Sequence, residues 1–182
     1  DPELYGAITQ TAVSSPVIDR PNHPRIYCMT VTDKNLRFKG RPSAWSSAVD
    51  QIVFGQNDIP QLFILSGGNV YGTKHEHYPD FNHLEYIHDP AQAHNAITVG
   101  TYTRKDKIPA NTGFTALAPN GAMAPSNSTS LLFDKNCPNK PDVVFEGGNS
   151  STDGTYISDH AELKLLSLDS DYDTDIFIPF GD

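Results

Sequence analysis

Residues 25–32 read Arg-Ile-Tyr-Cys-Met-Thr-Val-Thr, a nearly continuous run of apolar and β-prone side chains. Such a run is expected of a strand buried on both faces of a parallel sheet. Downstream, Trp45, Ala48, Val49, Ile52 and Val53 fall at i, i+3, i+4, i+7 and i+8, which sets all five on one helical stripe. Pro42 and Ser43 supply a start and Gly55 a C-terminal cap. Gln61–Leu65 is a second short apolar strand. Strand, helix and strand in that order form a right-handed crossover between parallel strands, and so predict an α/β fold.

Working outward, Ala96–Tyr102 and Asp142–Phe145 add two more short strands, and Asp89-Pro90 suits the opening of a one-turn helix. From Thr155 the pattern changes: Tyr156, Ile157 and then Leu163, Leu165, Leu166 and Leu168 with polar residues between them predict a C-terminal antiparallel hairpin. Leu4, Ile8 and Ala12 recur every fourth residue and allow a short helix. Segments 33–41, 72–90 and 103–140 are rich in Gly, Pro, Asn and Lys and read as surface loops.

A chain of 182 residues with 37% hydrophobic and 19% charged residues suits one domain with a core of its own. Acidic residues outnumber Lys and Arg by 22 to 13, for a formal net charge of -9, and no basic cluster interrupts them. Nothing here would grip a phosphate backbone, so nucleic acid is not an expected partner. No apolar run approaches a membrane span, and Asp1-Pro2-Glu3 does not open a signal peptide. Cys28 and Cys137 are read as free thiols, which with the lack of a leader points to the cytoplasm. The start without Met and the finish at Phe180-Gly181-Asp182 suggest a fragment.

Two metal patterns lead to no expected cofactor. His75 and His77, with His83, His88 and His94 nearby, lack a Cys or carboxylate at zinc spacing and read as a solvated loop. Asp169, Asp171, Asp173 and Asp175 alternate like the first ligands of a calcium loop, yet the Gly at position six and the Glu at position twelve are missing. An exposed acidic turn is the reading.

Chemistry in an open α/β sheet sits beyond the carboxyl ends of the strands, where Ser66-Gly67-Gly68-Asn69 falls. Two glycines let the backbone turn and approach a ligand closely, and the Asn then presents an amide donor. On spacing alone the plainer reading prevails, with glycines that end a strand and Asn69 in a left-handed turn.

Several segments in order resemble the subtilisin-like serine peptidases. Cys28-Met29-Thr30-Val31-Thr32 resembles the strand leading to that family's Ser-Leu-Gly substrate-binding segment. Ser43-Ala44-Trp45-Ser46-Ser47-Ala48-Val49-Asp50 resembles the helix that follows. Leu62-Phe63-Ile64-Leu65-Ser66-Gly67-Gly68-Asn69 resembles the strand ending in Ala-Gly-Asn, whose Asn completes the oxyanion hole. His94-Asn95-Ala96-Ile97-Thr98-Val99-Gly100 is similar to the family's Asn-Ala-Ile-Thr-Val-Gly, the most specific of these matches. Ala124-Pro125-Ser126-Asn127-Ser128 stands where the family has a Ser-rich loop, and Lys140-Pro141-Asp142-Val143-Val144-Phe145-Glu146-Gly147-Gly148 where it has Lys-Pro-Asp-Ile-X-Ala-Pro-Gly.

The resemblance implies a subtilisin-like three-layer sandwich with a mostly parallel central sheet, incomplete in this chain. It also implies a serine endopeptidase that hydrolyses peptide bonds through an acyl-enzyme. Asn69 would then donate its amide to the oxyanion. Thr30, Val31 and Thr32 would line the cleft edge where an extended peptide or protein substrate adds as a strand. Gly67 and Gly68 would form the opposite wall of the pocket for the residue before the scissile bond. No cofactor is implied.

The departures are as specific. No Gly-Thr-Ser occurs, since Gly154-Thr155 is followed by Tyr156, and the Asp-Thr-Gly and His-Gly-Thr motifs are missing too. All three triad positions are therefore expected outside the chain, which should be inactive alone. A non-catalytic peptide-binding or scaffold domain on the same fold is the rival expectation. Exposed sheet edge further predicts self-association into a homo-oligomer.

Overall fold

A capped helix holds the crossover together. The computed structural model describes residues 4–35, 38–55 and 60–166, beginning with helix α1 (Tyr5–Asp19), strand β1 (Ile26–Met29), helix α2 (Ala44–Phe54) and strand β2 (Leu62–Ser66). Ser43 is the N-cap of α2: its hydroxyl accepts from the Ser46 amide and the Ser46 hydroxyl accepts from the Ser43 amide, both at 2.8 Å. That reciprocal arrangement satisfies two amides that the first turn leaves unpaired. Gly55, at φ 96, ends the helix where an L side chain would be strained.

The remaining strands are β3 (Ile97–Tyr102), β4 (Thr115–Ala116), β5 (Val143–Glu146), β6 (Ser151–Thr152) and β7 (Ile157–Ser158), and a third short helix, α3, spans Asp80–Leu84. One sheet has the order β1-β2-β3-β5 and the other β4-β6-β7. β1 pairs with β2 in parallel, Met29 level with Leu65, and β2 with β3 in parallel, Leu65 level with Thr98. The second sheet is antiparallel. The α/β class and the mostly parallel sheet are therefore as the sequence predicts.

Contacts divide the chain into two compact units. The first comprises Asp1–Gly68, Tyr86–Val99 and Thr129–Val143, and the second Asn69–Glu85, Gly100–Ser128 and Val144–Asp182. In the first, Trp45, Val49 and Ile52 of α2 bury against Phe63 and Leu65 of β2, with Tyr27 and Met29 of β1 packed alongside. Full burial of side chains of this size contributes roughly 1.5–3 kcal/mol each. The opposite face of β1 is not covered among the described residues: Ile26 is 68% exposed and Cys28 is exposed as well. The expectation that β1 is buried on both faces is thus corrected, because α2 packs on one side only.

Helix α1 is longer than its spacing suggested and presents another face. Leu4 and Ile8 are 54% and 60% exposed, while Gly6, Thr9 and Val13 are buried. Close approach rather than hydrocarbon area selects that face. A Cβ on Gly6 would stand 3.1 Å from Ala48 Cβ, the Trp45 indole N–H donates to Thr9 Oγ1 at 2.9 Å, and the Tyr5 and Trp45 rings lie 4.7 Å apart.

Also within the first unit, Lys140 is a buried cation held by Ala96 O at 2.8 Å and Asp142 Oδ2 at 2.6 Å. Asp142 in turn accepts from the Thr98 amide at 2.6 Å, which ties the segment before β5 to β3. The one-turn helix expected at Asp89-Pro90 is instead a turn closed by the Ala91 amide on His88 O and the Ala93 amide on Pro90 O.

In the second unit the antiparallel hairpin lies earlier than its leucine spacing indicated. It joins β6 to β7 through Asp153-Gly154, where Gly154 takes φ 94. Asp153 Oδ1 accepts from the amides of Tyr156 and Thr155, and those bonds hold its carboxyl below the ordinary carboxylate range. Leu163 is buried on a short 3-10 turn instead of a strand, and Leu168 lies outside the described residues with the alternating aspartates 169–175. Segments 72–90 and 103–140 are more than surface loops, for they bury Asn82, Glu85, His88, Asp89, Asn127 and Ser128.

Tight helix packing makes a direct prediction. Gly6→Val, which forces a branched side chain onto Ala48 Cβ and Ala44 O, is expected to destabilise the chain by about 1–3 kcal/mol in urea unfolding. Ile8→Val on the exposed face of the same helix should leave the midpoint nearly unchanged.

Candidate functional site

Parallel pairing brings the carboxyl ends of β1 and β2 side by side, so the segments that follow them share one edge of the first unit. After β1 come Thr30 and Val31, both exposed, and half-buried Thr32. After β2 come buried Gly67 and half-buried Gly68. The Gly67 amide donates to Val99 O at 3.1 Å, carrying the ladder one residue past β2. Gly68 adopts φ 90, the left-handed region that glycine enters without strain.

Residues 88 and 89 run between these two strand ends. The His88 amide donates to Gly67 O at 3.0 Å, and the Asp33 amide donates to Asp89 O at 2.8 Å. The His88 side chain is fully buried, with Nδ1 3.5 Å from Thr32 Oγ1. A Cβ added to Gly68 would stand 2.7 Å from His88 Cβ and overlap the ring. Gly68 is therefore glycine for two reasons, its dihedral angle and the imidazole against it. Behind His88, the Asp89 carboxylate Oδ1 accepts from Ser43 Oγ at 2.5 Å and Gln92 Nε2 at 2.6 Å. The segment between the strand ends is thus joined to the N-cap of α2.

Asn69 opens the second unit. It forms an antiparallel bridge with Asn127, and the Val70 amide donates to Ser126 O at 2.8 Å. Among the described residues, Lys39 is the non-glycine residue with positive φ. Asn69 therefore does not occupy the left-handed turn that spacing alone favoured. The loop it pairs with is clamped from behind: Asn82 Nδ2 donates to Pro125 O at 2.6 Å and to Asn127 O at 2.8 Å, and Asn127 Oδ1 accepts from the Thr101 amide at 2.7 Å.

A family model described as the subtilase family matches residues 1–177. The chain belongs to the subtilase family. No curated protein and no solved structure matches it. Membership makes this a domain of a serine peptidase family, and the resemblance read from six short segments extends over nearly the whole chain.

In this subtilase domain the strand-end segments named from the sequence, Thr30, Val31 and Thr32 and Gly67 and Gly68, belong to the first unit, with residues 88 and 89 running between them. Sequence reasoning missed His88 and Asp89. The first was grouped with the loop histidines and the second was read as a helix cap. The available signal was Ile87-His88-Asp89-Pro90, four residues before the Asn-Ala-Ile-Thr-Val-Gly strand, too short to show that both side chains turn inward. His75 is also buried, with Nδ1 3.1 Å from Ser150 Oγ and Nε2 2.9 Å from Val70 O, so it is no part of a solvated histidine loop. Among the described residues no group of three His, Cys, Asp or Glu could hold a metal, and no helix is long and apolar enough to cross a membrane.

Burial raises the Asp89 carboxyl above its ordinary value; the hydrogen bonds from Ser43 and Gln92 oppose that rise and the charge of Asp33 adds to it. Between the ordinary carboxylate value and the raised one, the folded subtilase domain holds a proton that the unfolded chain has released. Stability therefore falls as pH rises through that window. Asp89→Asn keeps the acceptor for Ser43 and is expected to flatten this slope in urea melts taken from pH 4 to 7; an unchanged slope would refute the assignment.

Proposed function

We propose that this subtilase domain supplies the substrate cleft and an oxyanion donor to a serine endopeptidase that cleaves peptide bonds through an acyl-enzyme. An extended peptide adds along Thr30, Val31 and Thr32 by main-chain hydrogen bonds, as a further strand beside β1. Gly67 and Gly68 face it as the opposite wall of the pocket for the residue before the scissile bond. The observation that supports this reading is the in-register parallel pairing of β1 and β2, Met29 with Leu65, which gives both segments one edge. Such an edge is where ligands bind in open α/β sheets.

Asn69 donates its side-chain amide to the oxygen that becomes negative in the tetrahedral intermediate. Nucleophile, base and orienting carboxylate come from outside these residues, since no Gly-Thr-Ser, Asp-Thr-Gly or His-Gly-Thr occurs. The chain alone is inactive. Loss of one oxyanion donor costs about 10²- to 10³-fold in kcat, a range established on subtilisin itself.

In the protein that carries the nucleophile, Asn69→Ala is expected to lower kcat by that factor with little change in KM, while a fluorophosphonate still labels the active serine. Absence of labelling in the unmutated protein would overturn the enzyme reading and favour a peptide-binding scaffold. We infer further that copies of this chain associate through β1, the outer strand of its sheet, with Ile26 exposed on it and Val31 exposed just beyond its end. Sedimentation velocity should show a mass above the 19.9 kDa monomer; a monodisperse monomer would count against this.

A further inference from the structure

We propose that His75 is a positioning residue for the oxyanion donor, holding Asn69 through the carbonyl of Val70. This rests on the reading of Asn69 given above and adds what that reading leaves open, the side chain that fixes the donor's backbone in place.

Every group involved lies within the second unit. His75 Nε2 is 2.9 Å from Val70 O, and Val70, the residue after Asn69, is 1% exposed. A carbonyl oxygen only accepts, so Nε2 carries the ring proton and donates to it. The other nitrogen, Nδ1, lies 3.1 Å from Ser150 Oγ, and in that neutral tautomer it accepts from the Ser150 hydroxyl. Ser150 is itself fixed, since its carbonyl accepts from the Leu117 amide at 2.8 Å and its own amide donates to Asn149 Oδ1 at 2.9 Å. His75 and Ser150 are both buried, so the ring cannot turn without giving up two buried hydrogen bonds. On the near side of Val70, its amide donates to Ser126 O at 2.8 Å. Both peptide groups that flank Val70 are thus held, one by the backbone of the loop that pairs with Asn69 and the other by an imidazole. The short turn that bears His75 is anchored beside it by Lys74, whose Nζ meets the two Glu85 carboxylate oxygens at 3.0 and 2.9 Å. An oxyanion donor works only when its position is set before charge develops, and a misplacement of about 1 Å costs up to about a hundred-fold in rate. The bond from His75 to Val70 sets that position by closing residues 70–75 on themselves next to Asn69.

The test is a double-mutant cycle in the protein that carries the nucleophile. His75→Asn keeps an amide facing Ser150 but no longer reaches Val70 O, and is expected to lower kcat by about ten-fold or more with KM little changed. His75→Gln, whose amide extends to the place of Nε2, should restore most of that loss. In the Asn69→Ala background His75→Asn should cost less than about two-fold further, because the donor it positions is gone. An equal loss in both His75 variants, an undiminished one in that background, or none at all would overturn the positioning role and leave Asn69 standing as the donor. Asn69→Ala with unchanged kcat would instead overturn the oxyanion reading, and this role with it. Where neither His75 variant folds by circular dichroism, a long-range ¹H–¹⁵N spectrum of the unmutated protein decides. The ring is expected to be neutral with its proton on Nε2, and a proton on Nδ1 alone would overturn the proposal.

Discussion

The backbone of Gly68 and the imidazole of His88 occupy adjoining space with no room for a side chain on the glycine. That contact requires a residue without Cβ at a left-handed backbone position immediately after β2. It also sets where residues 88 and 89 can run, and through them where Asp33 and Ser43 are held. Ser43 caps α2, so the N-terminus of the crossover helix and the floor between the strand ends belong to one hydrogen-bonded assembly. One short segment thus carries both the packing against Gly68 and the buried hydrogen bonds of Asp89.

Much of the chain's order comes from buried polar groups that replace regular secondary structure. In the first unit Lys140 neutralises Asp142 while both bond to the backbone at Ala96 and Thr98. In the second, three buried asparagines bind the loops. Asn82 reaches the carbonyls of Pro125 and Asn127, Asn127 reaches Thr101 and Ser128, and Asn149 accepts from the Ala118 amide while donating to Lys105 O. A buried amide left unpaired costs about 1–3 kcal/mol, so such loops are specified almost as firmly as strands once every group is matched. Asn69 pairs with a loop held in this way.

Catalysis by acyl transfer depends on donors already in place when charge develops, and on a cleft that aligns the peptide with them. Under the proposed reading, the described residues supply positioning elements of this kind. On the same reading the groups that make and break bonds come from elsewhere, since no Gly-Thr-Ser, Asp-Thr-Gly or His-Gly-Thr occurs. Division of labour between a positioning core and distant reactive side chains is natural in an α/β sheet, where different strand ends each contribute one component.

The crossover of strand, helix and strand was legible because periodicity reports burial directly: the stripe from Trp45 to Val53, the Ser43 start and the Gly55 end each follow from one local rule. Family membership was legible too, since short motifs in fixed order survive where overall composition says little. The face of α1 was not, because Gly6 and Thr9 are chosen by a neighbour 3.1 Å away rather than by their own hydrophobicity. Nor was the hairpin position, where Asp153-Gly154 outweighed the leucine spacing that follows. What the sequence by itself determined was the class of fold, the capped crossover and the family, all encoded by neighbours along the chain. Only the tertiary structure decided that His88 and Asp89 turn inward between the two strand ends, because their partners at Thr32, Ser43 and Gly68 lie far away in sequence and meet them only when the sheet has formed.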